Sequence, residues 1–169
     1  AAGRALGGMF VSMPGDVDGD GVDDVFASDW KHALRGLQTG RVYVLSGRTG
    51  KVWLTLSGRT AGEGFGTSAS VAGDVDGDGH ADVLVGAWQH SSGAKGGGQA
   101  TLFSGRDGRI LARYTSAEAH ETFGFDTGTL GDTNGDGIDD FLVTAGWSHV
   151  NGVRSGRVYV ISSGIAKAR

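Results

Sequence analysis

The segment DVDGDGVDD begins at Asp16, returns as DVDGDGHAD at Asp74 and again as DTNGDGIDD at Asp132, each start 58 residues after the last. The register extends beyond these segments: Gly40, Gly98 and Gly156 keep the same interval, as do Val44, Leu102 and Val160, and Ser46, Ser104 and Ser162. Three separate patterns held in phase define a tandem array, and the fold must be one that repeats a single supersecondary unit. The units run approximately over residues 1–58, 59–116 and 117–169, within a single segment spanning 1–169.

Each unit reads as β structure. In the middle copy GTSASVAG precedes the acidic segment, and ADVLVGAW, GGQATLFSG and RILARYTS follow it. These runs are short, rich in apolar and β-branched residues, and separated by Gly, Ser and Asp clusters. The continuous apolar runs VLV and FLV suit strands covered on both faces, whereas VYVLSG and ATLFSG tend to alternate, as a half-exposed strand does. No stretch sustains a 3.6-residue period, and the 33 glycines would each cost a helix about 1 kcal/mol. The expected fold is all-β: three tandem four-stranded antiparallel units, the acidic segment joining first strand to second, arranged as blades of a β-propeller. A sandwich of the same strands gives no reason for the fixed period. The third unit stops where its last strand would begin, and three blades do not close a ring. The expectation is therefore an incomplete ring, either a fragment of a longer protein or a chain completed by further copies of itself.

The acidic segments have metal-site spacing. Asp16, Asp18, Asp20 and Asp24 occupy positions 1, 3, 5 and 9; their counterparts are Asp74, Asp76, Asp78 and Asp82, then Asp132, Asn134, Asp136 and Asp140. Carboxylates packed so closely repel one another unless a cation lies among them. Backbone carbonyls at position 7, those of Val22, His80 and Ile138, would complete a shell of oxygens. Hard oxygen donors in flexible number favour Ca²⁺, one ion per repeat and three in all. An EF-hand is excluded, because its bidentate Glu at position 12 is replaced by Ala27, Val85 or Val143. Three Ca²⁺ would move the formal net charge from −4 to +2. Sites of the strength usual in extracellular modules would stand mostly empty in cytosol, which points to a secreted or cell-surface protein.

Phe65-Gly66, the loop DVDGDGHAD and the strand VLVGAW closely resemble the FG-GAP repeat of integrin α-subunit propellers and of bacterial surface and secreted proteins. The resemblance spans nearly the whole chain. It implies calcium held by loop positions 1, 3, 5, 7 and 9, a seven-bladed complete ring, and calcium loops that are structural and lie opposite the main ligand face. Gly7-Gly8 stands in place of Phe-Gly in the first unit, and Trp88 in place of the Pro of Gly-Ala-Pro.

A second pattern recurs after the second strand: Trp30 with His32, Trp88 with His90, and Trp147 with His149, while Glu63 and Glu121 precede the first strand of two units. These connections emerge at one end of each unit, so the residues form either a binding surface, with Trp stacking on sugar or aromatic groups, or contacts between blades. Catalysis finds no support. No Gly-x-Ser-x-Gly elbow occurs, one member of each Asp pair is committed to metal, and Gly96-Gly97-Gly98 lacks the Lys of a phosphate cradle. The arginines are too dispersed for a nucleic-acid footprint, no apolar run is long enough to span a membrane, and Cys is absent. The expected function is non-enzymatic: a calcium-binding module mediating adhesion, protein or glycan interaction, or self-assembly. The alternative is an accessory propeller part of an extracellular hydrolase or polysaccharide lyase.

Overall fold

Gly and Asp clusters cut the chain into short apolar runs, and in the computed structural model, which describes residues 11–163, each run becomes a strand. The first sheet comprises β1 (Val11–Gly15), β2 (Asp24–Asp29), β3 (Arg41–Leu45) and β4 (Val52–Ser57). The second comprises β5 (Phe65–Val71), β6 (Val83–Ala87), β7 (Gln99–Phe103) and β8 (Ile110–Thr115). The third has β9 (Phe123–Gly131), β10 (Asp140–Ala145) and β11 (Arg157–Ile161). All neighbours are antiparallel and each sheet is a simple meander, of four, four and three strands among the described residues. No helix occurs among them. The first strands of the sheets, β1, β5 and β9, lie side by side, as the inner strands of propeller blades do, and the arrangement is open. The Gly7-Gly8 substitution falls outside the described residues, as do the last six positions.

The period-2 alternation of strands explains how one sheet serves two neighbours. From β6, Val83, Val85 and Ala87 face the first sheet, where they meet Phe26, Val42, Val44 and Leu56. Leu84 points the other way, joining Ala100 and Leu102 of β7 against Phe123, Phe141 and Val143 of the third sheet. The central sheet therefore has no solvent face at β6 and β7, which are buried throughout. The alternation in ATLFSG, read as half-exposure, instead sorts side chains between two apolar junctions. Half-exposure does hold for β3 and β11, which belong to the outer sheets.

The FG pairs register adjacent sheets. Phe123 donates its N–H to the Gly97 carbonyl at 2.8 Å and bridges to Gly98. A Cβ on Gly98 would lie 2.0 Å from the Phe123 carbonyl oxygen, and one on Gly40 equally close to that of Phe65. Only glycine permits this approach. Gly156, the third copy of the same position, has nothing nearer than 3.7 Å among the described residues.

Candidate metal centres and the loop groove

All three acidic loops curl by one hydrogen-bonding scheme. Position 1 accepts from the N–H groups of positions 5 and 6: Asp16 from Asp20 and Gly21, Asp74 from Asp78 and Gly79, Asp132 from Asp136 and Gly137. Position 3 accepts from position 5, and position 5 from position 7, each an Asx turn that bends the chain around its own side chains. The carboxylates are thereby gathered. Oxygens of Asp16, Asp18 and Asp24 lie within 4.8 Å of one another, and so do those of Asp74, Asp76 and Asp78. The third loop, with Asn134 at position 3, forms no such acidic trio among the described residues. The position-7 carbonyls of Val22, His80 and Ile138 accept no hydrogen bond among the described residues.

Position 9 is built differently, because it lies at the first residue of the second strand, or for Asp82 just before it, and is buried. Asp24 accepts from Val17 and Asp18 on one oxygen and from Gly47 on the other, each at 2.9 Å. Asp82 repeats this with Val75, Asp76 and Gly105. It thus ties the acidic loop to the turn between third and fourth strands. Burial pushes the Asp82 carboxyl up to about 6 despite these donors. Burial and the neighbouring Asp78 charge also raise Asp76, partly offset by Arg109. Asp140 instead takes a hydroxyl bond from Thr133, which holds it below the usual carboxylate range. Asp132 is held low as well, by the N–H of Gly137 first.

Sequence reasoning assigned only a backbone role to His80, yet its imidazole reaches the first loop. Nδ1 lies 2.9 Å from the Val17 carbonyl oxygen, and the ring stacks on Trp53 at 6.2 Å with 13° between planes. Trp53 in turn donates its indole N–H to the Gly105 carbonyl. Two arginines also touch the loops: Arg48 pairs with Asp20 at 2.9 Å and Arg109 with Asp76 at 2.6 Å. Neither arginine was separable in sequence, since the two do not occupy equivalent repeat positions.

The Trp, His and Glu residues sit at the opposite end, but they do not form one repeated contact. His90 pairs with buried Glu63 at 3.3 Å. His32 pairs with Asp29 at 3.4 Å, and His149 contacts the Trp147 carbonyl. Glu121 is buried, and Ser116, Tyr159 and Arg157 surround it with donors. Burial alone would raise its carboxyl; those hydrogen bonds and the Arg157 charge hold it below the usual range. Trp30 carries the Lys31 ammonium 5.2 Å over its ring. Trp88 and Trp147, from different sheets, meet at 5.1 Å, and both contact Phe125 edge-on. These two indoles line a groove of 740 Å³ together with Lys95, His120, His149 and Arg154.

Antiparallel meander sheets in an open arrangement, each with an Asp-rich loop between its first and second strands, define the chain as a β-propeller segment with candidate cation sites. The FG-GAP-like repeat pattern matches residues 16–85, and the FG-GAP repeat pattern matches residues 123–161. The chain belongs to the FG-GAP repeat family. It is similar to integrin alpha-PS2 of Drosophila melanogaster, 32% identical over 159 residues, covering 88% of this chain and 11% of that protein. Integrin alpha-V of Gallus gallus is 29% identical over 153 residues, 86% of this chain and 14% of that protein. The chain thus spans between a tenth and a seventh of the relatives it matches.

Proposed function

We propose that the chain is a calcium-stabilised, non-enzymatic propeller segment of a secreted or surface protein, used for adhesion or assembly. One observation carries this reading: in two loops three carboxylates converge within 4.8 Å, under a hydrogen-bonding scheme that all three loops share. The donor set is oxygen only, and the carboxyls of Asp76 and Asp82 are raised chiefly by burial, with neighbouring acid charge adding to it, a cost that a cation among them would relieve. Asp16, Asp18, Asp20, Asp24 and the Val22 carbonyl would hold the first ion. Asp74, Asp76, Asp78, Asp82 and the His80 carbonyl would hold the second, and Asp132, Asn134, Asp136, Asp140 and the Ile138 carbonyl the third. Calcium there supplies no reaction chemistry. It neutralises the acids and fixes the loops, which the position-9 carboxylates couple to the sheets.

The outer flanks support assembly. Val158 and Val160 of β11 are 59% and 63% exposed, whereas Ala100 and Leu102, and Val42 and Val44, their counterparts, are all at 0%. Such a face calls for another blade, from a longer chain or from a second copy. Similarity to integrin alpha chains favours adhesion over the alternative of a part accessory to an extracellular hydrolase or lyase.

Calcium titration of the stripped protein tests the reading. Three ions should bind. With dissociation constants near about 10⁻⁴ M, millimolar calcium adds roughly 1.4 kcal/mol per site and raises the melting temperature. Absence of uptake, with identical melting in chelator and calcium, refutes it.

A further inference from the structure

Interblade packing must recur at every junction of a repeat protein, whereas a ligand site need not. The groove between the second and third sheets departs from the repeat in a consistent direction. Its lining residues Lys95, His120, Thr122 and Arg154 occupy positions that one repeat earlier hold Leu37, Gly62, Gly64 and Gly96. Four groove residues, Lys95, His120, His149 and Arg154, can carry positive charge, and no Asp or Glu lines it, in a chain whose formal net charge is −4.

The backbone supplies a second, independent sign. Among the described residues four non-glycine side chains sit at left-handed φ, and three of them line this groove: His120 (60°), Thr122 (62°) and Arg154 (51°). The turn before β5 has the same conformation as the turn before β9 but uses glycine, Gly62 at 76° and Gly64 at 65°, while the Arg154 position holds Gly96 at 59° in the second repeat and Gln38 at 56° in the first. The repeat demands this backbone at both junctions. Before β5 glycine meets it without strain; before β9 His120 and Thr122 are retained against it, a pattern that marks functional sites.

We propose that this groove binds an acidic glycan, one whose pyranose rings carry carboxylate groups. Trp88 and Trp147, 5.1 Å apart and inclined at 37°, present indole surface for the C–H faces of sugar rings. Arg154 and Lys95 flank them as partners for carboxylates, Arg through its planar fork. The groove volume of 740 Å³ falls in the range of small-ligand sites. A peptide is the poorer occupant, because every lining residue lies outside the strands and none offers a sheet edge for backbone pairing. The assignment rests on the adhesion reading above and narrows it to one face and one ligand class.

Calorimetric titration in calcium with a hyaluronan oligosaccharide, a dextran oligosaccharide and polyglutamate tests it. Hyaluronan should bind, with the neutral sugar and the acidic peptide at least tenfold weaker. Arg154→Gly and His120→Gly should each lose at least tenfold in affinity, while melting at the same or a higher temperature, since glycine relieves the left-handed strain. Gln38→Gly, at the Arg154 position of the first repeat, should leave affinity unchanged. No hyaluronan binding, equal binding of dextran or polyglutamate, or wild-type affinity in the Arg154→Gly/His120→Gly double variant overturns the proposal. Calcium uptake is followed on the same samples. Three bound ions without glycan binding refute the groove alone, and absent uptake refutes the calcium reading instead.

Discussion

The junction between the first and second sheets and the junction between the second and third share a frame but differ at both ends. In each, an FG pair docks on a glycine of the preceding sheet, and alternate residues of β6 and β7 fill the core. At the acidic end the first junction is bridged by Trp53 and His80, whereas the second places Leu111 and Ile138 at those repeat positions, packed into the apolar core. At the opposite end the turn entering β5 has Gly62 and Gly64 where the turn entering β9 carries His120 and Thr122 of the Trp-lined basic groove. What both junctions keep is what holds blades together. What only one possesses is free to serve something else.

The shared frame gives the largest expected effect. Gly98→Ala drives a Cβ to 2.0 Å from the Phe123 carbonyl oxygen and puts alanine at φ 92°. The third sheet must shift, so urea denaturation should show a loss of about 3 kcal/mol or more. Gly156→Ala, at the equivalent position with no sheet packed on it among the described residues, has φ 68° and no contact under 3.7 Å there, and should cost only about 1 kcal/mol. Equal losses would break the distinction between an occupied junction and an open flank.

The position-9 acids of the second and third loops should respond oppositely to pH in chelator. Asp82 is raised by burial from 3.8 to about 6. The folded protein therefore binds the extra proton, so this group's stabilisation is full at low pH and lost as pH rises through about 6. Asp140 is lowered, chiefly by the Thr133 hydroxyl, so its stabilisation is present above the ordinary carboxylate value and lost as pH falls. The gap between wild type and Asp82→Asn should widen by roughly 1–2 kcal/mol from pH 7 to pH 5. The gap for Asp140→Asn should narrow on further acidification. Parallel trends would mean the two loops share one environment.

The frame was legible because it repeats. The 58-residue interval located the acidic loops, the strand order and the glycines at which sheets touch. Position 9 was legible as an acid, but not as the knot joining loop to turn, since its donors include an N–H 23 residues away, Gly47 for Asp24. The burial of β7 on both faces was hidden by its alternating pattern, which describes one strand and not the sheets on either side. His80 and Trp53 escaped notice for the opposite reason: their stacking occurs at one junction only, and a search for repeats passes over what happens once. The basic groove shares that origin. Its signal was the set of places where glycine is replaced, visible only after the backbone showed that those places need a left-handed turn.

The smallest effect isolates that backbone demand from any ligand. Gly62 sits at φ 76° with open space where a Cβ would go, so Gly62→Ala meets no clash and pays only for conformation, about 1 kcal/mol. His120 occupies the equivalent turn at φ 60°, and His120→Gly should return a similar amount. Thermal denaturation in calcium of the two variants and of the combined swap measures both. Opposite shifts that cancel in the double variant show one backbone requirement met in two ways. If His120→Gly destabilises, the imidazole contributes to the fold itself, and the contrast between a glycine junction and a strained one disappears.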